Sequence, residues 1–305
     1  MIVAIQYLPY HQIDKTKWDA CINQADNGLI YGNSIYLDAM AHYWDALVLN
    51  DYETVMPLTW NKKYGIHYLY QPFFTATLGV FGTNINATLV NDFLLAIPAK
   101  FKYWDIYLNA GNRFHLKQFK LHDRTNYVLP LNSDYEKLYA VFRINLKRNI
   151  KKAEQLNCTI RKDIAIDEVI ALALEQGKEF SPATTEDYKR FTKLYQQLHV
   201  QQNATTYGIY LPSGQLVASC ALFFCRKRVY YILVGNHPNG KTIGASHALI
   251  NAFIKDNAGK DLLLDFEGSD ISSLAFFYSS FGATAEMYVG LKQNNLPKIM
   301  QLFKK

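Results

Sequence analysis

Three apolar runs between residues 204 and 236, separated by only two tight turns, constrain this chain more than any other feature. TTYGIYL ends at Pro212-Ser213-Gly214, LVASCALFFC ends at Arg226-Lys227-Arg228, and VYYILVG follows. Runs joined this closely pair antiparallel, because a parallel pair needs a crossover of a dozen or more residues. After them the pattern alternates: a loop HPNGKT, a helix over 243–256, a strand LLLDFE, a helix over 271–280, a strand EMYVGL and a short terminal helix. The predicted architecture is therefore α/β with mixed sheets.

Upstream, residues 2–8 alternate like an edge strand, and Asp14 is placed to cap a helix over 15–25. Asn33-Ser34 reads as a second helix cap. Short strands follow (ALVLN, ETVMPLTW, GIHYLY, TATLGVFG), then a helix over 88–96 and the strands YWDIYLNA and TNYVLPL. Residues 133–156 read as one helix, with Ser133 and Glu136 at capping-box spacing. Two more helices are expected over 168–180 and 185–197. A length of 305 residues suits about two domains. The expected division is 1–132 and 133–305, with the basic helix connecting them.

Half the residues are apolar and 19% are charged, enough to bury a core. A net charge of +6 favours anionic partners without requiring them. Four scattered cysteines make neither a disulfide framework nor a zinc pair, which fits a reducing compartment. The most apolar run, Val217 to Cys225, is too short to span a bilayer. The expectations are a cytoplasmic protein with no membrane and no DNA partner.

The sharpest local motif is Gly235-Asn236-His237-Pro238-Asn239-Gly240-Lys241-Thr242, which satisfies G-x-x-x-x-G-K-[ST] between a strand and a helix. In a P-loop, backbone amides and a helix N-terminus hold phosphates while the lysine reaches the outer ones. A P-loop sheet is parallel, however, and the strands before this motif are not. A P-loop nucleotide-binding protein is kept as one alternative.

The order of elements, with VGNHPNGKTIGASHALINAFI and DFEGSDISSLAFFYSSFGA (265–283), resembles the acyl-CoA-binding half of the GNAT acyltransferase superfamily. That resemblance implies a donor seated near Val234 and Gly235. Its phosphates would lie on the segment containing Asn239, Gly240, Lys241, Thr242, Gly244 and Ala245. Thr242 replaces one usual glycine, and the usual arginine or glutamine is absent. Tyr278 falls where many GNAT enzymes place the tyrosine that protonates the leaving thiolate. A phenol of pKa near ~10 stays neutral until that step.

A second resemblance spans most of the chain. LKRNIKKAEQLNCTIRKD (146–163), with WDACI, YQPFF and Gly79, DFEG and FYSSFG in the same order, looks like the Fem-type peptidoglycan aminoacyltransferases. It implies two GNAT-like lobes in tandem, the active lobe second, with the acyl-CoA N-acyltransferase fold. Fem ligases that use aminoacyl-tRNA carry lysine where this chain has Tyr278, which counts against tRNA as donor.

Arg143, Lys147 and Lys151 are spaced four apart on the basic helix, with Arg148 beside them, and could meet a ligand phosphate. A lysine-rich face is as readily a solvated one. Asp265 and Glu267 stand at strand spacing and should share a face, which makes Glu267 a candidate base for an incoming amine. His237 could touch phosphate, and Tyr230 and Tyr231 could line the acceptor side, placed between the lobes. No metal-ligand motif stands out. The reading is an acyl- or aminoacyltransferase that moves an acyl group from acyl-CoA, its co-substrate, or a related donor to a small-molecule amine. Its other alternative is a non-catalytic GNAT-like binding module.

Overall fold

A computed structural model describes residues 5–177, 183–268 and 270–296. Its contacts divide the chain into two compact units, 1–124 with 287–305, and 125–286. The expected terminal helix and the end of the helix over 168–180 lie outside the described residues.

The first unit contains β1 (Ile5–Leu8), α1 (Lys15–Gln24), α2 (Ser34–Met40), β2 (Tyr43–Leu49), β3 (Thr54–Lys63), β4 (Ile66–Tyr70), β5 (Phe81–Gly82), α3 (Ala87–Leu95) and β6 (Phe101–Leu108). Asp14 caps α1 by accepting from the amides of Thr16 and Lys17 at 3.0 and 3.1 Å. Asn33 makes no side-chain cap on α2, because Asp19 takes the Ser34 amide instead, at 2.7 Å. The sheet order is β1-β2-β3-β4-β6, with β5 against β3. Most of TATLGVFG is not strand. Gly79 has φ +102, and a Cβ there would lie 2.2 Å from Asn112 Oδ1, which accepts from the Val80 amide. Leu47, Val80, Phe93, Phe101 and Leu291 form part of this unit's buried core.

The chain leaves this unit in β7 (Leu121–Pro130) and returns in β13 (Thr284–Asn294), whose residues 289–294 pair antiparallel with 103–108 of β6. That pairing gives the last strand to the first unit, whereas the sequence division left everything after 132 in the second.

The second unit holds α4 (Tyr135–Ala140), α5 (Ile144–Gln155), β8 (Thr159–Lys162), α6 (Ile166–Gly177) and α7 (Thr185–Val200). It continues with β9 (Ala204–Tyr210), β10 (Leu216–Cys225), β11 (Arg228–Asn236), α8 (Pro238–Ile243), α9 (Ala245–Asn257), β12 (Leu263–Asp265) and α10 (Ser272–Ser279). Its sheet runs β7-β12-β11-β10-β9-β8. The three-strand meander is antiparallel as expected, and β11 is parallel only to β12.

The single helix expected over 133–156 is two helices. Arg143 is extended (ψ 151) and gives its amide to Ser280 O at 3.0 Å, while Phe142 packs edge-on against Phe281 at 5.4 Å. The capping box does not form, and Asp134 precedes α4 without capping it through its side chain.

Strand alternation sorts the sheet's faces. Cys220, Leu222, Val229, Tyr231, Leu264 and Phe266 share one core with residues of α5 and α9. On the other side Phe223 stacks on Phe191 of α7 at 5.3 Å, and a Cβ on Gly235 would lie 2.8 Å from the Ala173 amide of α6.

Candidate functional site

β11 and β12 pair over only three residues each, Arg228–Tyr230 against Leu263–Asp265. β11 continues to Asn236 while β12 stops. On its other edge β11 slips register against β10, so that Leu222 opposes Tyr231, Ala221 opposes Leu233, and Ile232 is the extra residue. A bulge bends the strand that carries it. The two parallel strands therefore diverge beyond Tyr230 and Asp265.

The root of this divergence is fixed by charge. Arg228 Nη1 lies 2.8 Å from Asp265 Oδ2, and its guanidinium bonds both oxygens of Glu286 at 2.7 and 3.0 Å. Asp265 Oδ1 accepts from Asn126 Nδ2 at 2.8 Å and from the Glu267 amide at 2.9 Å. Burial alone would lower the Arg228 guanidinium, but Asp265 and Glu286 outweigh it and push it up. β12 ends because Glu267 takes a left-handed φ of +67. Strand alternation stops there, so Asp265 and Glu267 do not share a face as their spacing suggested. Asp265 is buried in the ion network.

Tyr278 projects from α10 and is only 8% exposed, its ring stacked on Phe266 at 4.7 Å. Burial, then the Glu267 carboxylate, push its phenol up to about 12. Glu267 is thus an electrostatic neighbour of Tyr278. Tyr231 stands on the same side of the sheet, edge-on to Phe266 at 6.1 Å, and its hydroxyl is buried with no hydrogen-bond partner among the described residues. Burial, then Cys220 and Tyr278, push it well above the usual phenol range. Tyr230 points to the opposite face, across from Phe223. Of the two tyrosines only Tyr231 joins Tyr278.

His247 of α9 completes this aromatic group, edge-on to Phe277 at 4.8 Å. Asn149 Nδ2 donates to its Nε2 at 3.3 Å, which leaves the proton on a buried Nδ1 that has no partner among the described residues. Burial pushes this imidazole down to about 4.

HPNGKT is a short helix rather than a loop, since Pro238 opens it at a position where its missing N–H costs nothing. His237 Nδ1 accepts from the Asn239 amide at 3.1 Å, and His237 O accepts from Gly240 and Lys241 at 2.9 and 3.2 Å. A Cβ on Gly240 would lie 2.2 Å from Val217 O. These amides are occupied inside the segment, and a P-loop cradle does not form. Lys241 and Thr242 are exposed, and Lys152 Nζ donates to Thr242 O at 2.7 Å.

Gly244, with φ +75, ends α8 and opens α9, and it packs so tightly on α5 that a Cβ would lie 2.6 Å from Asn149 Cβ. No side chain caps α9, and the amides of Ala245 and Ser246 have no acceptor among the described residues. Free donors for an anion thus lie at 245–246, at the C-terminal edge of the segment read from the sequence. Val234 is half-buried on the diverging part of β11. Lys147 turns to Ala140 O at 3.0 Å, and Arg148 is exposed.

Sequence reasoning missed His247, Ser246, Phe266 and Asn149. The string Gly244-Ala245-Ser246-His247 held a partial signal, small residues and then a polar one at a helix start. Asn149 and Phe266 come from other segments.

Residues 140–270 match the family model described as an acetyltransferase (GNAT) domain. No curated protein is similar to the chain in sequence. Among solved structures, FemX is similar over 98% of this chain and 100% of its own, at 13% identity and a TM-score of 0.64. A conserved protein of unknown function from Bacteroides thetaiotaomicron is similar over 95% and 99%, at 10% identity and a TM-score of 0.61. L-PGS from Bacillus licheniformis is similar over 85% and 87%, at 12% identity and a TM-score of 0.51. At these identities the likeness is one of fold, and with FemX it extends over nearly the whole chain. Among the described residues no helix is long and apolar enough to cross a membrane.

Proposed function

With a GNAT acetyltransferase domain over residues 140–270, in a chain that has the fold of the Fem-like branch, we propose that this protein is a cytoplasmic N-acyltransferase using acyl-CoA and a small amine. The observation that carries the reading is the divergence of β11 from β12 with the buried Tyr278 phenol beside it. The thioester arm of the donor enters between the diverging strands, and its diphosphate meets the free amides of Ala245 and Ser246, where the α9 dipole favours negative charge.

The neutral amine attacks the acyl carbonyl, and the tetrahedral intermediate collapses with cleavage of the C–S bond. Tyr278 gives its proton to the departing thiolate, and the ammonium loses one to Glu267 or to water. Positioning and hydrogen bonding carry most of such a reaction, since the amine is already a competent nucleophile. Tyr278→Phe keeps the ring on Phe266 and removes only the acid. Turnover should fall about 10²–10⁴-fold with the donor KM nearly unchanged, read by thiol release from acetyl-CoA and longer acyl-CoAs. Unchanged turnover would remove Tyr278 from the mechanism.

A second reading follows from the resemblance to the Fem-type aminoacyltransferases: the donor is an oxygen ester, such as an aminoacyl ester of a ribose, and Tyr278, its phenol pushed up by burial, protonates the departing alkoxide. Transfer from an aminoacyl-tRNA, with none from any acyl-CoA, would select this reading.

A further inference from the structure

α5 carries four cations and one carboxylate, Arg143 just before it is a fifth cation, and no carboxylate among the described residues forms an ion pair with any of the five. Leu146, Ile150 and Ala153 form its buried stripe. Ile144, Arg148 and Lys151, at spacings of four and three, therefore form a stripe on the opposite, outward side. Ile144 is 70% exposed, and it does not stand alone. Val141 is 61% exposed and lies against Gly282, its Cγ2 2.8 Å from where a Cβ would be. Phe276 of α10 is 52% exposed, with the Arg143 guanidinium over its ring at 4.6 Å. The α4–α5 turn and the outer side of α10 thus form one patch of bare apolar tips bordered by unpaired cations.

We propose that this patch docks the protein on the surface of an anionic lipid bilayer. Val141, Ile144 and Phe276 enter the headgroup boundary, and Arg148 and Lys151 meet lipid phosphates. Aliphatic tips gain nothing from a nucleic-acid backbone, and a face this basic repels a second copy of itself. The bilayer interface accepts both features together. The sequence excluded a membrane for want of a spanning run, and surface docking requires none. The proposal does not depend on acyl transfer, although α10 carries Tyr278 on its inner side.

Cosedimentation of the full chain with phosphatidylcholine vesicles, and with mixed phosphatidylcholine–phosphatidylglycerol vesicles, tests it. Adsorption is expected on the mixed vesicles only, weakening as salt shortens the screening length. Each cation near the surface contributes about fivefold, so Arg148→Glu with Lys151→Glu should reduce adsorption at least ~25-fold. Val141→Ser with Ile144→Ser should reduce it by about tenfold without touching charge. All four positions are exposed, and an unchanged melting temperature verifies that each variant folds. Equal adsorption on neutral vesicles, or none on mixed ones, overturns the proposal. So does an apolar double variant that adsorbs normally, release by a short RNA duplex that itself binds the chain tightly, or release by low concentrations of free glycerol phosphate.

Discussion

Replacing His247 by glutamine should make the protein less sensitive to mild acid, and the size of the effect follows from the environment of the ring. Burial holds the imidazole at about 4 in the folded chain, against 6.5 when it is free. Between these values the unfolded chain binds the extra proton and the folded chain does not, so stability falls as pH falls. The contribution of the neutral ring is present above pH ~6.5 and is lost on the way down to ~4. Linkage sets the loss at about 2 kcal/mol by pH 5 and about 3 kcal/mol by pH 4, ceilings that partial solvent access to the ring reduces. Urea unfolding of wild type and His247→Gln near neutral pH and near pH 5 isolates the effect, because the other seven histidines and all carboxylates cancel in the difference. The variant should retain between ~1 and ~2 kcal/mol more of its neutral-pH stability at pH 5. If the two pH profiles run parallel within about 0.5 kcal/mol, His247 is not held neutral by burial and the account of its orphaned Nδ1 fails.

Two further outcomes can be checked. Asp265→Ala removes bonds to Arg228, Asn126 and the Glu267 amide while Glu286 still holds the guanidinium, so it should cost about 3 kcal/mol, measured by urea unfolding; a loss under ~1 kcal/mol would show that the network does not brace the strand root. Tyr231→Phe removes a buried hydroxyl that has no partner among the described residues, so stability should hold or rise by about 1 kcal/mol while the KM for the amine acceptor rises several-fold. A destabilised variant with unchanged KM would contradict both halves of that expectation.

Much of the second unit is legible in the sequence because its contacts are local. The meander, the helix after it, β12 and α10 follow from turn residues and periodicity within short windows. What defeats the sequence is long-range hydrogen bonding. The Arg143 amide finds Ser280 O across the unit and breaks an otherwise continuous helical pattern. Asp19 takes the amide of Ser34 and displaces the expected Asn33 cap. Within the site, Tyr278 and the small residues at 244–245 were visible as motif positions. The expectation that Tyr230 and Tyr231 both line the acceptor side fails on strand alternation, since adjacent strand residues face opposite ways. The occupied amides of 239–241 were not visible, because nothing in HPNGKT shows that His237 will satisfy them.

The return of β13 to β6 has a consequence for how the molecule is made. Residues 103–108 emerge from the ribosome nearly the whole length of the second unit before their partners at 289–294. At ordinary translation rates that interval is on the order of 10–40 s, during which one side of β6 has no strand to pair with. An open strand edge invites pairing with other chains. Residues 125–286 can gather their own core in the meantime, so the half that begins first is the half that finishes last.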